Sequence, residues 1–337
     1  MEAENSKKEI AVEEHEAGQR LDHLISHHWP FSRSQVKKFI TQGKVYLNGE
    51  KARASSKTQV GDLITADALE TPGEVSFTPQ KIHLNILYED NNIIVLNKQP
   101  GLVVHPGAGT TAPTLVEGLY YHLNGNLANS EELALRPGVV HRLDKDTSGV
   151  IICAKDLETH NALSTQFAEK TCYKEYVALV HGHLKDNQKT ITSYLGRSHI
   201  NRQQYKSIDV EAYNSLSEQK KSQFRFAHSE IAVVERYTVG LWKASLVKIL
   251  IKTGRTHQIR VHLKSLGHPV VRDSVYGKKE PKEPEPPIGP ILASAEHQLL
   301  HAKTLGITHP KSLEKVAFEA DLPANFHDIL KALQSDN

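Results

Sequence analysis

The stretch Pro137–Lys155, PGVVHRLDKDTSGVIICAK, crowds acids and bases between two apolar runs. His141, Arg142, Asp144, Lys145 and Asp146 are followed by Thr147, Ser148 and Gly149. A connection that only turned the chain would need one or two polar residues. Charges set at a corner of the core are half-buried; they need partners, and they tend to mark functional sites. A second constellation, Thr253-Gly254-Arg255-Thr256-His257-Gln258-Ile259-Arg260-Val261-His262, lies farther along the chain. A carboxylate shielded from water needs a cation beside it to stay ionised. Asp144 and Asp146 are the candidate acids, and Arg255 and Arg260 the candidate partners. A guanidinium never deprotonates and grips a carboxylate with paired hydrogen bonds. A carboxylate held this way can act as a nucleophile.

Other chemistries fit less well. No second carboxylate stands at a fixed spacing, which argues against a glycosidase. The two cysteines, Cys153 and Cys172, form no metal spacing. A zinc deaminase is therefore disfavoured. The glycine-rich His105-Pro106-Gly107-Ala108-Gly109 lacks the Gly-Lys-Ser/Thr ending of a phosphate cradle.

The elements that must position these residues follow from periodicity. Val139-Val140 and Val150-Ile151-Ile152 read as buried strands on either side of the charged loop. Ile86–Asp90 and Ile93–Leu96 predict a hairpin, and Thr114–Leu123 a helix. Leu157–Glu169 predicts a helix, Tyr173–Val180 a strand and Leu246–Ile251 another. Thr256 is a candidate cap for a helix through Leu263. Leu299–Pro310 and Glu314–Phe318 predict final strands, and Phe326–Leu333 a terminal helix. Irregularly interspersed helices favour α+β over a regular parallel sheet. Residues 185–225 are polar with basic clusters and read as a mobile surface segment that could contact RNA. Lys278–Pro290 reads as an exposed, proline-rich loop.

Residues 1–15 read as a frayed tail. Beyond it, Leu21, Leu24 and Ile25 mark one helix, and Val36, Phe39 and Ile40 a second, with Ser32 as its cap. Val45-Tyr46-Leu47 leads into the hairpin signal Asn48-Gly49, and Val60–Ile64 supplies a closing strand. Between Ser32 and Lys57 lie Arg33, Lys37, Lys38, Lys44, Lys51, Arg53 and Lys57, against one acid, Glu50. A cationic helix face beside a basic hairpin is a phosphate-binding surface.

The chain has 337 residues and a net charge of +2, enough for two domains and neutral as to partner. Few cysteines, a polar MEAENSKKEI start and no apolar run near the ~20 residues of a membrane span imply a soluble, cytoplasmic protein.

Two resemblances sharpen this reading. RLD..L, SRSQVKKFI..GKVYLNG and VGD.I resemble the S4 RNA-binding module, in which the second helix and hairpin face RNA. That implies RNA contacts from Arg20, Arg33, Lys37, Lys38, Lys44 and Arg53. NKQPGLVVHPG, HRLDKDTSG and TGRTHQIRVHLKSLGHPVVRDSVYG together resemble the RluA/RluD family of ribosomal RNA pseudouridine synthases, leaning to the RluD-like branch. The resemblance implies an isomerase that acts on large-subunit ribosomal RNA or its assembly precursor, by base flipping, without cofactor or metal. It implies a mixed, largely antiparallel sheet flanked by helices, with a small α/β S4 domain. Asp144 then matches the essential aspartate, Tyr176 the active-site tyrosine, and Arg260 the arginine paired with the aspartate. Arg142 matches the residue that holds the flipped nucleotide, and His141, Thr147, Lys98 and His105 complete the expected substrate-binding set. The expected division is an S4 domain over 16–70, a linker over 71–82 and a catalytic domain over 83–330, acting as a monomer. The alternative reading is an RNA-binding ribosome-assembly factor whose catalytic activity is dispensable.

Overall fold

The computed structural model describes residues 8–29, 31, 33–67, 79–106, 112–123, 138–198, 200–201, 203–277 and 288–335. The chain divides into two compact units, Met1–Ser76 and Phe77–Asn337.

The first unit contains β1 (Lys8–Ala11), α1 (Leu21–His28), α2 (Arg33–Thr41), β2 (Val45–Leu47), β3 (Glu50–Lys51) and β4 (Leu63–Ala66). The apolar stripes of α1 and α2 meet: Leu21, Leu24, Ile25, Val36, Phe39 and Ile40 are buried in one core. Asn48 and Gly49 both take positive φ, 53° and 82°, as a two-residue hairpin turn requires. The antiparallel order is β1-β4-β2-β3. The expectation of a frayed tail is corrected from Lys8 onward. Lys8–Ala11 pairs with β4 because Ile10 and Val12 alternate into the same core. Residues 1–7, the cap position Ser32 and most of the expected 71–82 linker lie outside the described residues.

The second unit begins with β5 (Ile86–Glu89), β6 (Ile93–Lys98), α3 (Leu115–His122), β7 (Ser148–Ala154), α4 (Leu157–Glu169) and β8 (Tyr173–His181). It continues with β9 (Gln188–Arg197), β10 (Tyr205–Ile208), α5 (Val210–Asn214), α6 (Glu218–Lys221), β11 (Phe224–Val239) and β12 (Trp242–Ile251). It closes with α7 (Gln258–Ser265), α8 (Ile288–Ala293), β13 (Leu300–Thr308), β14 (Lys315–Glu319) and α9 (Ala324–Ser335). Among the described residues these strands form one sheet, in the order β10-β9-β11-β12-β8-β13-β7-β6-β5, with β14 on β13. Every pairing is antiparallel except β13 with β7. The fold is thus α+β with a mixed, largely antiparallel sheet, as expected.

The parallel pair explains the glycine that ends the charged loop. Ser148 and Gly149 pair with His301 and Ala302. Gly149 sits at φ +113°, and a Cβ there would lie 2.2 Å from the Ala302 carbonyl oxygen. Only glycine lets the loop enter β7 at this point.

Four expectations change. Val139-Val140 is half-buried and forms no strand; β6 flanks β7 along its length and β13 takes its start, leaving one bridge, Val139 to Cys153. The polar segment 185–225 is regular structure: it carries β9, β10, α5 and α6. Its polarity is that of a sheet with one wet face, since Ile191, Ser193 and Leu195 alternate inward. Residues 278–287 lie outside the described residues, but Ile288–Ala293 is helical and buries Leu292 against Phe326 and Leu333. Pro290 is tolerated there because it falls in the first turn. The N-cap of α7 is His257 in the left-handed region, φ 58°, and not Thr256.

Candidate active site

The two charged constellations meet. The loop before β7 and the turn before α7 line one cavity of about 90 Å³ at the middle of the sheet. Asp144, Arg142 and Thr147 enter it from the first loop, Tyr176 from β8, and His257 and Arg260 from α7 and its cap. Local hydrogen bonds fix both loops. The Thr147 N–H donates to the Asp144 carbonyl (3.1 Å), and Gln298 Nε2 donates to Thr147 Oγ1 (2.7 Å). Gln258 holds the other side: its Oε1 accepts from Thr253 Oγ1 (2.7 Å) and the Arg255 N–H (3.1 Å). Its Nε2 donates to the His228 carbonyl and Ser229 Oγ on β11, both at 3.0 Å. His262 is buried between Ser193 and Ser229, which anchors α7 on the sheet.

Arg260 is the hub. Its Nε and Nη2 donate to the two oxygens of Asp273 at 2.7 and 2.9 Å, and its Nη1 donates to Asp144 Oδ2 at 2.9 Å. Its guanidinium also lies over the Tyr276 ring, 5.1 Å from the centroid. Burial works against the Arg260 charge, but Asp273 and Asp144 more than offset it, so its pKa is raised. A guanidinium fixed on three sides presents one carboxylate, Asp144, to the cavity in a defined orientation. Asp273 is sealed from solvent, whereas the Asp144 side chain keeps 19% exposure. Tyr176 shares the cavity wall; burial, reinforced by the Asp144 charge, raises its pKa, so its phenol stays protonated.

The remaining expected residues take other places. Lys98 does not line the cavity; it is buried beneath the loop, where Nζ donates to the carbonyls of Gln99, Leu102 and Lys145 at 2.9, 3.0 and 2.9 Å. Burial pushes it down to about 7, against the pull of Asp146 and Asp144. Three carbonyls match the three donors of an ammonium, so Lys98 ties the loop to β6. His141 points to the opposite side: it stacks on Phe167 (4.5 Å) and its Nε2 accepts from the Ile152 N–H (3.0 Å). Burial, with help from the Lys174 charge, pushes it down to about 3. His105 is half-buried away from the cavity, its Nδ1 2.9 Å from the Pro106 carbonyl. Arg142 is exposed at the rim, as is Arg255, whose Nε donates to the Phe226 carbonyl (3.0 Å). Of the two candidate partners for Asp144, the structure selects Arg260.

In the first unit, Arg20 donates through Nε and Nη2 to the two oxygens of buried Asp22 (3.0 and 3.2 Å), and Lys37 Nζ lies 3.5 Å from Asp22 Oδ2. Lys38 and Arg53 are exposed, Lys44 half-buried, and Arg33 opens α2.

Asp273, His257 and Gln258 were not singled out from sequence. Asp273 did carry a signal: a lone acid in Val270-Val271-Arg272-Asp273, within an apolar stretch, must be paired.

A mixed sheet crossed by a cavity, with an arginine-clamped aspartate and a tyrosine in its wall, places the chain in the RNA pseudouridylate synthase family. The model of that family, described as RNA pseudouridylate synthase, matches residues 92–265, and that of the S4 domain matches 19–64. The chain belongs to this family of isomerases and carries an S4 domain. It is 37% identical to an uncharacterized RNA pseudouridine synthase of Aquifex aeolicus, over 94% of each chain. It is 36% identical to the ribosomal large subunit pseudouridine synthase D of Zymomonas mobilis, over 98% of each. Among solved structures, human RNA pseudouridylate synthase domain containing 4 shares the fold, with a TM-score of 0.53, 23% identity and coverage of 74% of this chain and 93% of that one.

Proposed function

We propose that the chain converts particular uridines of large-subunit ribosomal RNA to pseudouridine, with Asp144 as the reacting carboxylate. The observation that carries the reading is the cavity-facing Asp144, oriented by Arg260, in a chain of this family. The isomerisation breaks the bond from N1 to C1′ and forms one from C5 to C1′; the proton lost from C5 is balanced by one gained at N1. The target base must leave its stack to enter a cavity, at a cost of a few kcal/mol. Arg142 at the rim suits a phosphate or base of the displaced nucleotide. Tyr176, a neutral phenol, is suited to stack on uracil. Thr147 sits in the wall; Lys98 and His141 hold the loop from beneath; His105 belongs to the neighbouring loop.

The large-subunit substrate rests on the names of relatives such as that of Zymomonas mobilis. Residues 16–70 serve as the RNA-binding domain, with Arg20, Arg33, Lys37, Lys38, Lys44 and Arg53 toward RNA, and 83–330 as the catalytic domain. We place the protein in the cytoplasm as a monomer; no described helix is long and apolar enough to cross a membrane. A protein that only bound RNA would have no need of a cavity-facing carboxylate oriented by a buried guanidinium, which disfavours the assembly-factor alternative.

Carbodiimide primer-extension mapping of large-subunit RNA from a strain lacking the protein tests this. Loss of stops at particular uridines, restored by the wild-type chain, is expected. An unchanged map, or release of free uracil by the purified protein, overturns the reading.

A further inference from the structure

His257 has no part in the reading so far, yet it stands in the cavity under three constraints. Its backbone occupies the left-handed region, φ 58°, at the cap of α7. Non-glycine residues there are uncommon, histidine and asparagine being among the tolerated ones, and the strain clusters at functional sites. Its ring is held edge-on between Tyr205 and Tyr276, with centroid distances of 5.6 and 5.5 Å. Its Nε2 faces Asp144 Oδ2 at 3.9 Å, and its Nδ1 lies 2.8 Å from the Tyr276 hydroxyl.

The hydrogen bonds choose the tautomer. The Tyr205 backbone N–H donates to the Tyr276 hydroxyl oxygen at 2.7 Å. A hydroxyl has one proton to give, and the contact left for it is His257 Nδ1. Tyr276 is buried, so its proton needs an acceptor inside the protein; on that ground we assign Nδ1 as the acceptor and the ring proton to Nε2, the nitrogen that faces Asp144. A neutral imidazole is aimed, proton first, at the same oxygen of Asp144, Oδ2, that Arg260 Nη1 already holds.

We propose that His257 is a positioning residue for Asp144: a neutral imidazole, locked as the Nε2–H tautomer by Tyr276, that donates to the Asp144 carboxylate as the nucleotide enters. The contact closes by a shift of about 1 Å, of the kind catalytic hydrogen bonds make on loading. Together, Arg260 and His257 restrict the carboxylate to one rotation, leaving an oxygen toward the nucleotide. The proposal rests on Asp144 being the reacting group.

Protonation must break the device. The groups facing His257 are Asp144, Arg260, Asp273, Arg142, Tyr276 and Tyr205. A second ring proton on Nδ1 opposes the Tyr276 donor and adds a cation beside Arg260. Burial, with Arg260 and Arg142, lowers the His257 pKa against the pull of Asp144 and Asp273.

The test uses the full chain, an RNA fragment that the wild type modifies, and His257→Asn, which keeps a residue suited to the left-handed backbone. Single-turnover kcat should fall about 10- to 100-fold, the scale of one hydrogen bond to a charged group, with KM for RNA unchanged. The part of the wild-type acid limb that comes from His257 protonation should be absent from the variant, which keeps only the limb of the reacting carboxylate. Tyr276→Phe should lower kcat by less, about 3- to 10-fold, and move the His257 part of the limb. A raised KM with unchanged kcat makes His257 a nucleotide contact and overturns the proposal, as does an unchanged rate. Independently of activity, nitrogen NMR of histidine-labelled protein, with His257→Asn as the assignment control, should show the proton on Nε2. A proton on Nδ1 overturns the proposal. A wild type that forms no pseudouridine defeats the function itself and leaves the tautomer prediction standing.

Discussion

The two units solve opposite charge problems. In the first, one buried carboxylate, Asp22, lies between two cations, Arg20 and Lys37, whose side chains are about half exposed. In the second, one buried cation, Arg260, lies between two carboxylates, and one of these, Asp144, looks into a cavity. Inverting the arrangement changes what it can do. A buried acid with flexible cations above it ties a helix to the surface and leaves those cations free to exchange water for phosphate. A buried, rigid guanidinium instead holds one carboxylate as an internal anchor and aims the other at a substrate. On the proposed function, the difference separates an ion pair that supports a binding face from one that prepares a reacting group.

The largest effect should come from removing the hub. Arg260→Met leaves Asp273 sealed without its cation and should cost about 3–5 kcal/mol of second-unit stability, with loss of pseudouridine formation. A change below 1 kcal/mol in denaturant unfolding would erase the contrast between the two clusters.

Acid should separate the units next. His262 and His301, both fully buried in the second unit, are pushed by burial from 6.5 down to about 4. Below pH 6.5 the unfolded chain binds protons that the fold refuses, so stability is lost as pH falls from about 6.5 toward 4. Each histidine contributes roughly 3 kcal/mol of that loss. The histidines of α1 are half-buried or exposed, so hydrogen exchange should show the second unit loosening first. First-unit amides that exchanged earlier would contradict this.

Asp22→Asn should cost the first unit about 1–2 kcal/mol, because the amide keeps part of the hydrogen bonding that Arg20 requires. The smallest change is at exposed positions. Lys38→Ala with Arg53→Ala should leave melting unaltered and reduce the slope of log affinity against log salt by about 2. An unaltered slope would remove these residues from the RNA face.

Much of this was legible in the sequence, for reasons that differ by residue. The helices at Leu157–Glu169 and Leu115–His122 follow from local apolar spacing, which tertiary packing did not override. The short turn at Asn48-Gly49 follows from residue type alone. Electrostatic need left Asp144 or Asp146 to pair with Arg255 or Arg260; the family resemblance chose Asp144 with Arg260, and these two lie 2.9 Å apart. The 185–225 segment misled because a wet sheet face and a mobile arm have similar composition; only pairing of β9 with β11 distinguishes them. Lys98 and His141 misled in another way. Their types suit chemistry, but burial direction is not written in type, and both turn beneath the loop that carries Asp144. His257 was named only as part of its constellation, because its contacts with Tyr276 and Asp144 are reached only through the fold.

The central claim is that Asp144 is the reacting group and that RNA binding is separable from it. The direct measurement is pseudouridine formation by Asp144→Asn, as the sole copy of the enzyme, alongside its affinity for the same RNA. The account predicts pseudouridine reduced by at least ~10³-fold, the scale of losing an essential reacting group, with affinity within a few-fold of wild type. Pseudouridine at the wild-type level with Asn at position 144 would contradict it.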